Sequence, residues 1–187
     1  MKKILFIALL LIVPFIGFSQ TTKPIDGFLG IKFGSSRAEV TEAMKAKGAV
    51  LNPSNNVDGL YFTNVTLGDQ KSRGCLVLFF NDKAYEANFL FRAEVDDKSI
   101  DFYTNLVNEI NGVYGSAESH KVFKSTFHDG DGYEITAIQQ GDADYYTYWH
   151  SDKNFINAHI TVKLAILVAY VDGPLSEQAT AGAKSNF

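Results

Sequence analysis

Two stretches of the chain repeat their apolar residues every three or four positions, which is the spacing of an amphipathic helix. The first follows Ser36, whose spacing from Glu39 is that of a capping box, and it ends before Gly48, so a helix is predicted over 37–47. The second lies in "DDKSIDFYTNLVNEINGVYG", where Gly115 provides the stop. Its apolar stripe comprises Tyr103, Leu106, Val107, Ile110, Val113 and Tyr114. Each predicted helix therefore has one face that can cover a sheet.

The segments after each helix carry the alternating or continuous apolar runs of β-strands. In the first half, runs over 60–67, 75–80 and 84–91 are separated by turn sequences. The middle run, "CLVLFF", is apolar at every position and predicts a central strand covered on both faces. In the second half, "YYTYWH", "NAHITV" and "AILVAYVD" predict three further strands. The segment "DGYEITAIQQG" fits a strand or a short helix, and the cap spacing of Asp131 and Glu134 favours the helix.

The order of these elements, a helix followed by a meander, occurs twice with a period of about 65 to 70 residues. It predicts an α+β fold made of two tandem helix-plus-antiparallel-meander units, with the helices packed on one face of the sheet. We expect one globular domain over 20–172, with repeat-like halves at about 26–95 and 96–172. Residues 173–187 lack apolar periodicity and predict a flexible tail. The pattern leaves open whether the two halves share one sheet.

The N-terminal segment has the form of a secretory signal. Lys2 and Lys3 precede an apolar run over 4–16, which is too short for a membrane-spanning helix and is followed by small residues. This predicts a signal peptide over 1–19 that is removed, so the protein is exported to the periplasm or outside the cell with no membrane insertion after cleavage. Cys75 is the single cysteine, so the fold has no internal disulfide.

The net charge of the chain argues against some classes of binding partner. The chain has a net charge of −4 with neutral histidines and contains no basic run. This composition argues against nucleic acid and anionic lipid surfaces as ligands. The expected partner is an envelope protein or a cell-wall component, and the sequence leaves the oligomeric state open.

The segment "GIKFGSSRAEVTEAM", Gly30 to Met44, resembles the opening of small bacterial envelope domains, in which a similar turn launches the first helix. The outer-membrane assembly protein BamE (SmpA) and the tandem helix-plus-sheet fold of the β-lactamase inhibitor protein are similar in this way. The resemblance implies a non-enzymatic interaction module of the cell envelope. The resemblance implies a fold, and it assigns no functional residue to this chain.

The acidic loop "HDGDGYE" places Asp129 and Asp131 like the first two ligands of a calcium-binding loop. In that register Glu134 occupies the position that requires glycine, and Gln140 replaces the twelfth-position glutamate. An Asx-type turn is therefore the better interpretation.

No local motif indicates a catalytic residue, a metal site or a cofactor. The four histidines lack zinc-binding spacing, and no G-x-S-x-G segment is present to activate a serine. Cys75 lies in an apolar strand, where a thiol behaves as a small hydrophobic group. The leading hypothesis is a soluble, non-catalytic binding module. The alternative is an envelope hydrolase acting on glycan or peptide, with a site assembled from scattered loops.

The strongest candidate for a binding surface is "DYYTYWHSD", residues 144–152. In a strand, Tyr146, Tyr148 and His150 point to one side, and the residues between them point to the other. If only one side covers the core, the other presents aromatic rings to a partner, as interfaces often do. Three interpretations stay open. Both sides of the strand are covered by other parts of the protein, or the tyrosines only form a cross-strand ladder, or Tyr146, Tyr148 and His150 contact a ligand or a protein.

Overall fold

The computed structural model describes residues 23–53 and 59–184, so the predicted signal peptide, residues 1–19, lies outside the described residues. Within these ranges, every helix falls short of the length and apolarity needed to cross a bilayer.

Among the described residues, the first half contributes one helix, four strands of the main sheet and two small hairpins. The hairpins are β1 (Gly27–Phe28) with β2 (Ile31–Lys32), and β5 (Thr66–Leu67) with β6 (Gln70–Lys71). The remaining elements are α1 (Arg37–Ala46), β3 (Val50–Asn52), β4 (Gly59–Thr63), β7 (Gly74–Phe80) and β8 (Lys83–Arg92).

The second half contributes three helices and four strands. After a 3-10 turn at Asp96–Lys98, its elements are α2 (Ser99–Tyr114), β9 (Glu118–Phe123), α3 (Glu134–Gln140), β10 (Ala143–Ser151), β11 (Asn154–Ile160), β12 (Ala165–Val171) and α4 (Gly173–Lys184).

The eight long strands form one antiparallel sheet in the order β3-β4-β7-β8-β12-β11-β10-β9. Each half supplies four neighbouring strands, and the last strand of one half pairs with the last strand of the other, β8 with β12. The fold is therefore α+β, and the two halves share a single sheet.

One face of this sheet, the helix-covered face, carries the main core. Helix α2 packs on it through the bond between the Tyr103 and Thr147 hydroxyls, and Arg37 at the start of α1 lies over the Phe79 ring. Helix α3 contacts β10 beside these elements. Each large side chain buried here contributes about 1.5–3 kcal/mol. Fully buried examples are Phe62, Phe89, Phe91, Ile156 and Ile166.

Both helices predicted from apolar spacing form, with ends close to the expected positions. In α1, the Ser36 hydroxyl accepts from the Glu39 N–H, and the Glu39 carboxylate accepts from the Ser36 N–H, as a capping box requires. Gly48 has a φ of +83°, the left-handed conformation that ends a helix without strain in glycine. Helix α2 stops at Gly115.

The short helix α3 also forms, although Asp131 does not cap it. The Asp131 carboxylate accepts from the backbone N–H groups of His128 and Tyr133, at 3.0 and 2.8 Å, which is an Asx-type turn ahead of the helix. Glu134 instead accepts from the Gly130 N–H. The acidic loop is thus held by its own backbone, as the turn interpretation predicted.

Two strand predictions differ from the structure. The run over 60–67 is split, because Asn64 has a φ of +56° and directs the chain out of β4 into the β5–β6 hairpin. The run "CLVLFF" in β7 is buried at alternate positions, while Leu76 and Leu78 on the other face are half-buried. A strand that is apolar on both sides is therefore fully covered on only one.

A helix replaces the loose tail expected from residue 173. Asp172 starts α4 by accepting from the Leu175 N–H at 2.8 Å, and Pro174 follows in the first turn, where its missing N–H costs nothing. The helix packs across β7, β8 and β11, with Gly182 against the Phe80 ring. Unlike α1–α3, α4 lies on the second face of the sheet and covers one end of it.

Candidate functional site

The second face of the sheet is here called the open face. Along β10, the side chains that point to the open face are less buried than those that point to the helix-covered face. The side chains facing α2 are buried: Tyr145, Thr147 and Trp149. Those on the open face are half-buried or exposed: Tyr146, Tyr148 and His150. The three candidate residues therefore share one surface, which α1, α2 and α3 leave uncovered.

Five rings form a continuous line on this face, here called the aromatic row: His120, Tyr146, Tyr148, His150 and Phe155. Successive ring centroids are 4.8, 5.7, 6.1 and 6.3 Å apart. The outer members come from neighbouring strands, since His120 lies on β9 opposite Tyr146, and Phe155 lies on β11 opposite His150. The row thus joins three strands through side-chain contacts as well as backbone bonds.

The orientation of the rings determines what they present to solvent. His120 stacks on Tyr146 with an interplanar angle of 24°, and Tyr148 stacks on His150 at 16°. Side chains in a strand stand nearly perpendicular to the sheet, so stacked neighbours turn their faces toward each other. The row consequently offers ring edges, phenol hydroxyls and imidazole nitrogens, while these ring faces are occupied.

Three cross-strand rows of the sheet extend this surface. The first runs through Glu118, Tyr148, Asn157, Ala169, Asn88 and Leu76. The second runs through His120, Tyr146, His159, Leu167, Leu90 and Gly74. The third runs through His150, Phe155, Val171, Glu86 and Leu78. The surface mixes amides, imidazoles and two carboxylates with apolar groups, which are half-buried at the leucines and buried at Ala169 and Val171.

The opposite side of β10 fixes the strand that carries the aromatic row. The Thr147 hydroxyl lies 2.6 Å from the Tyr103 hydroxyl and 2.9 Å from that of Ser119, and Trp149 donates its indole N–H to Asn111 at 2.9 Å. Burial raises the pKa of Tyr103 to about 12, so this phenol stays protonated and able to donate. These bonds anchor β10 to α2 and β9 at the residues between those of the row.

Charges near the row are unevenly paired. Asp144 forms an ion pair with Lys124 at 2.8 Å, and Lys121 pairs with Asp129 while its ammonium lies over the Tyr145 ring on the helix-covered side. Glu118, directly opposite Tyr148, is exposed and has no ionic partner among the described residues. The carboxylate beside the middle of the row is therefore uncompensated.

A shallow depression of about 280 Å³ lies beside the row, lined by Tyr146, Tyr148, Asn157 and His159. His159 is half-buried, and burial lowers its pKa because a charged imidazole loses hydration there. This histidine is therefore held in its neutral form over a wider pH range than a solvated one.

A larger depression, of about 560 Å³, lies between α2 and α3 and carries several carboxylates. Four of the charged groups there have partners: Asp101 pairs with Lys98, Asp129 with Lys121, and Glu134 accepts from the Gly130 N–H. Within the described ranges, no group of three histidine, cysteine or acidic side chains is arranged to hold a metal ion. Burial also raises the pKa of the Cys75 thiol well above its usual range, so it is a core residue.

The alternation of β10 led to three of the surface residues, and others were missed. Glu118 and His120 lie on β9, an edge strand with no apolar alternation to reveal it, and five of its six residues are exposed. His159 was visible as a residue of "NAHITV", but its place beside Tyr146 depends on a register that the sequence does not specify. The one sequence feature that could have indicated the β9 residues was the polar segment that precedes the aromatic strand.

Comparison of the chain with models of protein families, with curated proteins and with solved structures found no match in any of the three. The resemblance of Gly30–Met44 to envelope interaction domains stays a prediction.

Proposed function

We propose that this chain is an exported, non-catalytic binding module of the cell envelope, and that its open face binds a partner through the aromatic row. The observation that carries the proposal is the row itself: five packed rings on a sheet face that α1, α2 and α3 leave uncovered. Tyrosine bears large contact area at low entropic cost and is enriched at the centres of interfaces.

Rigidity supports the same proposal. The strand β10 is anchored from behind by the bonds of Thr147 and Trp149, so the rings are held in place before any partner arrives. A surface fixed in advance loses little side-chain entropy on binding. Export is supported by Lys2, Lys3 and the apolar run that follows them.

Ring orientation favours a protein over a glycan as the partner. Sugar recognition by aromatic residues uses an open ring face, and in the His120–Tyr146 and Tyr148–His150 pairs one face of each ring is occupied by its neighbour. Exposed edges and hydroxyls suit the polar and apolar mosaic of a protein surface.

The test is thermal unfolding of the mature chain, residues 20–187, with a panel of cell-wall fragments, glycans and peptides. A ligand at about 100 times its dissociation constant adds about 2.7 kcal/mol to the stability of the folded chain, which raises the melting temperature by several degrees. We expect a peptide to produce the shift and Tyr148→Ala to abolish it.

Tyr133 provides the matched control, because it is an exposed tyrosine, 62% accessible, in the loop before α3. Tyr133→Ala should leave the shift unchanged. A ligand whose shift survives Tyr148→Ala and is lost in Tyr133→Ala would place binding elsewhere and refute the role of the open face.

A further inference from the structure

The most informative charge on the open face is that of Glu118. Its carboxylate is exposed next to Tyr148, and the nearest basic residue of its own strand, Lys121, points to the other face, where it pairs with Asp129. Asp144, the other acid near the row, is already neutralised by Lys124. Glu118 is thus an exposed negative charge at the β9 edge of the surface, and no basic residue in the described part of the chain forms an ion pair with it.

The surrounding residues have the same bias. Along the three cross-strand rows of the open face, the charged side chains are Glu118 and Glu86, and no lysine or arginine is present. The amides of Asn157 and Asn88 add carbonyl acceptors, and Asn88 already donates to Glu86 at 2.8 Å. The cations elsewhere on this face are already paired, Arg92 with Asp96 and Lys124 with Asp144. The unpaired charge of the face is therefore negative, which is complementary to a donor-rich, positively charged partner.

A second copy of the chain does not supply that complement. Two open faces placed together would bring Glu118 and Glu86 of both copies into one interface without a single lysine or arginine from these rows. Burying unpaired carboxylates is costly, so charge disfavours self-association through this face.

We propose that the partner is a protein segment rich in lysine and arginine, whose cations pair with Glu118 and with the phenol oxygens of the aromatic row. This rests on the proposed function, because it names the partner of the same surface. The rows of half-buried leucines beside it, including Leu167 and Leu90, give the aliphatic stems of such side chains an apolar floor.

The experiment is selection of random 12-residue peptides on the immobilised mature chain, followed by calorimetry of the enriched peptides. Four proteins are compared: the natural chain, Glu118→Gln, Tyr148→Ala and the control Tyr133→Ala.

Enriched peptides should carry several lysines or arginines. Their dissociation constant should rise about two- to fivefold in Glu118→Gln, as expected for one solvent-exposed ion pair. Raising the salt from about 0.05 to about 0.5 M should weaken binding more for the natural chain than for Glu118→Gln.

The outcomes separate the two proposals. Neutral or acidic peptides whose binding is lost in Tyr148→Ala would overturn the basic partner and leave the open face as the binding surface. Peptides unaffected by Tyr148→Ala, or no enrichment at all, would count against both. Because Tyr148→Ala is informative only if it folds, His150→Ala, at an exposed position, serves as the second variant of the row.

Discussion

The two sides of strand β10 carry similar residues in different environments. Toward α2, Trp149 is 3% accessible and Thr147 fully buried, and both have hydrogen-bond partners on other elements. On the open face, Tyr148 is half-buried and His150 exposed, and their ring contacts are with the row. One strand therefore has a buried side bonded to other elements and a side whose rings stay partly open to solvent.

The difference shows that aromatic composition is a poor guide to burial in a two-layer fold. Helices α1, α2 and α3 lie on one face of the sheet, and the single helix on the other, α4, covers only one end. Alternating side chains are consequently divided between core and surface regardless of their hydrophobicity.

The largest expected effect separates Trp149 from Tyr148. Trp149→Ala should lower the free energy of unfolding by about 3–5 kcal/mol, because it empties a buried site and removes the donor to Asn111. Tyr148→Ala should cost at most about 1 kcal/mol, the range of cross-strand pairs. Urea unfolding followed by circular dichroism measures both. Equal losses would mean that the open face is part of the core.

The next effect concerns the buried hydroxyls. Thr147→Val keeps the shape of the side chain but removes the partner of Tyr103 and Ser119, which should cost about 1–3 kcal/mol. Adding Tyr103→Phe to this variant should cost less than Tyr103→Phe does in the natural chain, because the bond is already lost. Strictly additive losses in the same urea experiment would show that the hydroxyls are not coupled.

Periodic patterns predicted most of the fold because they report which residues must be buried. The capping box at Ser36, the stripe of α2 and the strands β10, β11 and β12 were all visible in this way. The edge strand β9 was not, since it lies at the end of the sheet and buries no apolar face. Helix α4 was hidden for a similar reason, because none of its residues is buried.

The candidate site was predictable only along its own strand. Alternation places Tyr146, Tyr148 and His150 together without any knowledge of the fold. Glu118 and His120 join them because β9 pairs with β10 in a particular register, which is set across a connection of some twenty residues. Non-local pairing of this kind leaves no local signature in the sequence.

A pH experiment tests whether the open face is uniformly solvated. Histidine normally has a pKa of 6.5, and burial lowers that of His159 in the folded chain. Between the lowered value and 6.5 the unfolded chain binds a proton that the folded chain does not, so stability should fall as the pH drops through this window. The neighbours of His159 on this face are Tyr146, Asp144 and Tyr148 on β10, and Leu167 on β12, with Asp144 held by Lys124.

The variant His159→Gln removes the titrating group and keeps a polar side chain of similar size. Melting temperatures measured from about pH 7.5 to about pH 5 should decline less steeply for this variant than for the natural chain. His150→Ala, which removes an exposed histidine of the same face, is the control. Identical slopes for His159→Gln and the natural chain would mean that His159 is as well hydrated in the folded state as in the unfolded one.

The smallest expected effect lies within the aromatic row. His120 and Tyr146 are opposite each other on β9 and β10 and stack at 4.8 Å, so a double-mutant cycle of His120→Ala and Tyr146→Ala should give a coupling of about 0.2–1 kcal/mol.

A pair without contact, Tyr133 and Tyr146, should be additive within about 0.3–0.5 kcal/mol. A coupling near zero would mean that the rings are not held together in the free chain and that the binding surface is not preformed. A coupling above about 2 kcal/mol, well beyond the range of surface cross-strand pairs, would instead assign the row to the stabilising side of the sheet. Only the intermediate value fits a surface that is ordered enough to bind and too weakly coupled to be there for stability.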